Sequence, residues 1–175
     1  MKNVNKHFIF GAFLIGLLLI SCTTTSLATD IPYDVAVTSE NDSNFVSITA
    51  EPIYGSSTIL FDNYKGLRGI ELSIVNNTDK SVRIIWSESS ISYGENSYSI
   101  FLEGQKFIDA NTPASPTNIP AKGKLVKETF SANQPYYDGG WTMNLISGSP
   151  TIILAVESNG TRDYYTVKFT PRPVL

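Results

Sequence analysis

Between residues 69 and 75 apolar and polar side chains alternate. Gly69-Ile-Glu-Leu-Ser-Ile-Val75 sets Ile70, Leu72 and Ile74 on one face. A period of two belongs to a strand with one buried face, and a helix cannot use it. The same period recurs along the chain, with turn residues between the runs, and no window carries a sustained 3.6-residue period. Ile31 to Thr38 and Phe45 to Ala50 read as the first strands, separated by Glu40-Asn-Asp-Ser-Asn44. Thr58 to Phe61 reads as a short strand. After the Asn76-Asn-Thr-Asp79 turn, Val82-Arg-Ile-Ile-Trp86 returns with Val82, Ile84 and Trp86 inward. Ser97 to Leu102 and Leu125 to Phe130 follow.

The last two strands are the best defined. Ile152 to Glu157 is apolar on both faces, which predicts a central strand. Asn159-Gly160 is a two-residue hairpin signal. Its partner, Tyr164 to Phe169, places Tyr165, Val167 and Phe169 on one face, and Pro171 and Pro173 stop the sheet. The expected fold is all-β: a two-layer antiparallel immunoglobulin-like sandwich of about eight to ten strands, spanning residues 31–175. Trp86 is its expected core anchor.

The only His is His7 and the only Cys is Cys22, so the folded part contains neither. Disulfides, His or Cys zinc sites, and Ser-His-Asp or Cys-His catalysis are thereby excluded from it. Packing must hold the sandwich together.

The start of the chain has a separate character. Met1 to His7 carries Lys2 and Lys6, and Phe8 to Ile20 is an uncharged apolar run of thirteen residues. As a helix that run would span about 20 Å, less than the roughly 30 Å hydrocarbon core, so it reads as a signal-peptide segment. Leu19-Ile20-Ser21-Cys22 resembles the lipobox of bacterial lipoproteins. The resemblance implies a diacylglyceryl group on the Cys22 thiol, cleavage after Ser21, and Cys22 as the new N-terminus. Two or three acyl chains hold a protein durably, where one binds only reversibly. An ordinary secretory signal cleaved at Ser26-Leu27-Ala28 is the rival. Lipidation is favoured because the sole Cys ends the apolar run. Thr23 follows Cys22, whereas enteric inner-membrane retention uses Asp there, so the outer membrane is the expected address in a host with two membranes. Residues 22–30 form the lipidated Cys and a flexible Thr/Ser-rich tether.

Removing 21 residues leaves 154, enough for one domain. The remaining 11 bases face 16 acids, a net charge of −5, and such a surface has no electrostatic reason to bind nucleic acid. The densest basic group, Lys122-Gly-Lys124-Leu-Val-Lys127, reads as a solvated loop and strand start rather than a phosphate site.

A second resemblance rests on three stretches: Leu72 to Trp86 with its Asn-Asn-Thr turn, Ser89-Ser-Ile91, and Ile119-Pro-Ala-Lys-Gly123 before a strand. Over roughly residues 69–131 the chain resembles a broad group of poorly characterised bacterial envelope lipoproteins. That resemblance implies fold and location, and it transfers no catalytic residues.

No Gly-x-Ser-x-Gly elbow, Ser-x-x-Lys pair, phosphate-cradling loop or EF-hand occurs. No cofactor or metal is expected, and no catalytic residue is assigned. Paired carboxylates remain open to a glycosidase, which needs only two acids at a suitable separation. The most suggestive surface element is Tyr136-Tyr137-Asp138-Gly-Gly-Trp141, read as a loop after Pro135. Tyr136, Tyr137 and Trp141 could stack on a sugar or hold a protein, with Asp138 accepting hydrogen bonds. The plainer alternative makes Trp141 and one Tyr a cap on the sandwich. The leading expectation is a non-enzymatic, membrane-anchored interaction or structural module with an envelope protein or glycan partner. A carbohydrate-binding module and a carboxylate-only glycosidase are the alternatives.

Overall fold

The computed structural model describes residues 32–59, 62–137, 139–146 and 148–172. The expected signal peptide (1–21), Cys22 and the tether to residue 30 lie outside the described residues, as does Asp138. Twelve strands follow in chain order among the described residues: β1 (Tyr33–Ser39), β2 (Val46–Ile59), β3 (Asp62–Asn76), β4 (Val82–Ile84), β5 (Ser90–Tyr93), β6 (Asn96–Leu102), β7 (Thr117–Ile119), β8 (Lys124–Ser131), β9 (Pro135–Tyr137), β10 (Trp141–Met143), β11 (Thr151–Ser158) and β12 (Thr161–Pro171). The only helical turns described are two 3₁₀ turns, Trp86–Glu88 and Phe107–Asp109. The described residues are all-β, with twelve strands where eight to ten are expected. Four short strands, β5, β7, β9 and β10, of three or four residues each, fall outside the strands expected from the sequence. Thr58 and Ile59 do not form a separate strand but end β2.

Every strand pair is antiparallel, and the strands form two layers. In the first, β1 pairs with β12 and β12 with β11. The far side of β11 is shared: Val156–Ser158 pair with β4, and Thr151–Ile153 pair with β5. β4 then pairs with β7. In the second layer β2 pairs with β3, β3 with β8, and β8 with β6. β6 belongs to both layers, because Asn96–Ser99 pair with β5 and Ile100–Leu102 with β8. One side of the sandwich is thus closed by a strand that changes sheets, as at a barrel corner. The other side has two edges, β1 and β2.

The alternation seen in the sequence sets the core. Ile70, Leu72 and Ile74 of β3 face Ile152, Leu154 and Val156 of β11 and Val167 and Phe169 of β12, all fully buried. β11 is central, as expected, with β12 on one side and β4 and β5 on the other. Asn159 and Gly160 turn its hairpin at φ of +52° and +78°, the conformation for which Asn-Gly is chosen.

Trp86 is fully buried, as expected, but not as a strand residue. Between the pairs Ile84↔Val156 and Ser90↔Ile153, β11 spends two residues and the opposite chain five. The excess forms the 3₁₀ turn that carries Trp86 inward, where its indole N–H donates to Thr117 Oγ1 at 2.8 Å. The excursion would orphan an amide of β11. Ser89 replaces the missing ladder partner: its Oγ accepts the Ala155 N–H at 3.0 Å and donates to the Ile85 carbonyl at 2.9 Å.

A second, smaller core lies on the outer face of the second layer. Phe101 and Phe130 point away from the main core and are covered by Ala110, Phe107 and Met143. Close approach here requires Gly69, where a Cβ would fall 2.6 Å from two carbons of the Phe130 ring.

Candidate functional site

Residues 135–137 and 141–143 pair as a two-stranded ribbon, where the sequence is expected to form a loop. Pro135–Tyr137 pair with Trp141–Met143 in the register Trp141↔Tyr137, Thr142↔Tyr136 and Met143↔Pro135. This two-stranded ribbon stands apart from both layers. Two strands alone are marginal in water, so the ribbon depends on its base. Gln134, 1% exposed, accepts the Ser131 N–H at 2.6 Å and donates to the carbonyls of Arg68 at 2.7 Å and Asn144 at 2.8 Å. Asn144 returns its N–H to the Gln134 carbonyl at 2.9 Å. Tyr136 and Tyr137 are 42% and 67% exposed, so these two rings do not cap the core. Trp141 is placed by its backbone, opposite Tyr137.

Met143 carries the ribbon's inner end into the small aromatic core. Beside it lies a groove of about 180 Å³ whose lining includes Arg68, Glu103, Phe107, Glu128 and Met143. The Arg68 guanidinium carbon lies 5.9 Å from the centre of the Phe130 ring, within cation–π range. This groove was not read from the sequence. Its signal is the triplet Ile100-Phe101-Leu102, all buried, which requires cover on both faces of one strand.

The acids whose titration is displaced lie elsewhere. On the outer face of the first layer, Glu157 accepts from Arg83 at 2.7 Å and from Arg162 at 2.9 Å, and Arg162 also pairs with Glu88. The Arg162 hydrogen bond, aided by Arg83, holds the Glu157 carboxyl below its ordinary value. Arg162 is raised further by its bonds to Glu157 and Glu88. Asp163 is 1% exposed. Burial pushes its carboxyl up, but hydrogen bonds from Ser39, Ser43 and the amides of Tyr164 and Asn41 outweigh burial and bring it to about 2. Both acids are held ionised by donors, so neither supplies the protonated carboxylic acid a glycosidase needs. Among the described residues, no group of three or more His, Cys, Asp or Glu is placed to hold a metal ion.

The stretches that carried the second resemblance have structural work. Asn76 is fully buried. Its amide nitrogen donates to the carbonyls of Lys80 at 2.7 Å, Pro120 at 2.9 Å and Ile119 at 3.1 Å, and its oxygen accepts the Thr78 N–H at 2.8 Å. The Asn76–Asp79 turn is therefore clasped to the Ile119–Gly123 turn. Lys122 seals the clasp, donating to the Asn77 carbonyl at 2.7 Å and pairing with Asp79 at 3.0 Å. Lys122 thus lies in the turn, and its ammonium is held there.

No family model, curated protein or solved structure matches the chain.

Proposed function

We propose that this protein is a lipid-anchored, non-enzymatic lipoprotein of the bacterial cell envelope whose domain docks a protein partner through the β9–β10 ribbon. The observation that carries the docking part is the exposure of Tyr136 and Tyr137 on a ribbon outside both layers, 42% and 67%. Tyrosine combines a large apolar ring with a polar end and loses little side-chain entropy on binding, which suits it to contact surfaces. The anchor rests on the lipobox-like Leu19-Ile20-Ser21-Cys22, with the outer membrane as its address in a host with two membranes. Acyl chains on Cys22 would confine the domain to one membrane face and raise its effective concentration toward partners there. The domain itself is assigned to the immunoglobulin-like sandwiches. Two antiparallel layers packed over the main core support that assignment.

The test is cross-linking in intact cells that express the native chain, Cys22→Ala or Tyr137→Ala. A discrete partner captured by the native chain and lost in both variants is the expected result. Equal capture by Tyr137→Ala would remove the ribbon from the reading, and equal capture by Cys22→Ala would remove the anchor.

Carbohydrate recognition is the second reading. It is favoured by the groove beside the ribbon, where Arg68, Glu103 and Glu128 surround an aromatic wall. Envelope glycans that bind the domain, and cease to bind after Tyr137→Ala, would move the assignment there.

A further inference from the structure

Among the described residues β1 is the outermost strand of the first layer, and its outer edge is guarded only at its start, where Arg172 donates to the Tyr33 carbonyl at 3.3 Å and pairs with Asp34 at 3.0 Å. The strand pairs with β12 in unbroken register over all seven residues, with no bulge. It contains no Pro, Lys or Arg, and Asp34 is its one charge. Charges, prolines and bulges are what keep natural edge strands from pairing with other chains.

The phase of the ladder follows from its two ends. Arg172 donates its N–H to the Pro32 carbonyl at 2.8 Å, and Glu40 donates its N–H to the Tyr164 carbonyl at 2.9 Å. Hydrogen-bonded pairs recur every second residue in an antiparallel ladder. Residues 32, 34, 36, 38 and 40 therefore bond inward to β12. The N–H and C=O of Val35 and Val37 point outward, and no described residue pairs with them. The side chains of Val35 and Val37 sit opposite Phe169 and Val167, on the core-facing side. Yet each is 38% exposed, because the sandwich is open along this edge.

We propose that β1 is a self-association edge: two copies of this chain join by antiparallel pairing of β1 with β1 about a two-fold axis at Ala36. The strand is self-complementary in that register. Its seven residues overlap completely, so Val35 of one copy meets Val37 of the other, and each pair exchanges both N–H···O bonds. Opposed residues share a face, so four valines form one apolar cluster along the open lip of both cores. On the other face Asp34 meets Thr38 and Ala36 meets Ala36, so no like charges are opposed. The contact is isologous, so it closes at two copies and does not grow into a fibre. This pairing does not depend on the membrane anchor or on the ribbon.

Ala36 meets its counterpart as a non-hydrogen-bonded pair, with Cα atoms about 4.5 Å apart, within the range a disulfide spans. The experiment uses the full chain in mild detergent with Cys22→Ser, so that an introduced thiol is the only one. Ala36→Cys, Asp34→Cys and Thr38→Cys are each oxidised with diamide, which removes the two thiol hydrogens as the S–S bond forms. Ala36→Cys is expected to dimerise at least ten-fold faster than the other two, whose thiols lie four residues out of register. Adding Val35→Lys and Val37→Lys to Ala36→Cys should abolish that advantage while leaving the circular dichroism spectrum unchanged. Equal rates at positions 34, 36 and 38 would overturn the proposal. So would sedimentation of the Cys22→Ser chain as a monomer at every concentration up to several hundred micromolar.

Discussion

The carboxylate of Asp163 accepts the backbone N–H of Asn41 at 3.1 Å, across 122 positions of sequence. Asn41 Nδ2, the Tyr164 amide and the Ser39 and Ser43 hydroxyls donate to the same group. One buried anion thus holds the β1–β2 connection, the segment that crosses from the first layer to the second. Next to it, Tyr165 Oη accepts the Phe45 N–H at 3.1 Å and donates to the Ser43 carbonyl at 3.2 Å.

Asp163 makes stability depend on acid. Its carboxyl lies at about 2 in the folded chain and near 3.9 in an unfolded one. A depressed folded value contributes stability that is present above the unfolded value and lost as pH falls through the folded one. We expect about 2 kcal/mol to disappear between about pH 4 and pH 2 through this group. Urea midpoints measured from pH 7 to pH 2 on the native chain and on Asp163→Asn should show the loss in the first, and a smaller loss from a lower start in the second.

Asn76→Ala leaves the carbonyls of Lys80, Ile119 and Pro120 without the amide that joins them. Its cost should be about 2–3 kcal/mol. Asn76→Asp should cost more despite its shape, because it turns a carboxylate oxygen toward three carbonyl oxygens. Urea unfolding of the two variants at pH 7 gives the order, and equal costs would contradict it.

Ser89→Ala removes the acceptor of the Ala155 N–H in the middle of a central strand. About 1–2 kcal/mol of stability should be lost. Hydrogen exchange gives the sharper readout. The Ala155 amide should lose protection more than the amides of Leu154 and Val156, whereas a general loss of stability would raise all three together.

Gly69→Ala drives a methyl group into the Phe130 ring, against which the ideal Cβ distance is 2.6 Å. Destabilisation of about 1–3 kcal/mol is expected. Phe130→Leu alone should also destabilise, but the double variant should be less unstable than the sum, since the smaller side chain makes room. Additive costs in a double-mutant cycle would show that the two residues do not meet.

Alternation made the core of both layers legible. Ile70, Leu72 and Ile74, and Tyr165, Val167 and Phe169, were placed inward by period alone, and all are buried. β5 was not legible because Ser90-Ile-Ser-Tyr93 offers one buried apolar residue, Ile91, and three-residue strands such as β7 carry no period. Trp86 illustrates a right result for an incomplete reason. Its parity continues that of Val82 and Ile84, so the sequence implies one strand. The chain instead leaves the ladder, and only the long-range bond from Ala155 to Ser89 reveals it. The sequence of the ribbon reads as a loop because Gly139-Gly140 dominates its local signal. What makes it a ribbon is Gln134, whose partners at Arg68 and Asn144 lie 66 and 10 residues away. The acids most tightly held, Asp163 and Glu157, looked like any others in sequence, since their donors are distant along the chain.

The pairing of β1 with β12 also sets an order of events. Tyr33–Ser39, the first strand described, is held by Thr161–Pro171, the last. Residues 33–39 therefore have no β12 to pair with until residues 161–171 have been synthesised. The first layer closes last, after a wait of more than 120 residues of synthesis, and the free β1 edge is exposed throughout that interval. A chain arranged this way cannot complete its first layer until residues 161–171 have been made, so the two ends of the sandwich must find each other late in folding.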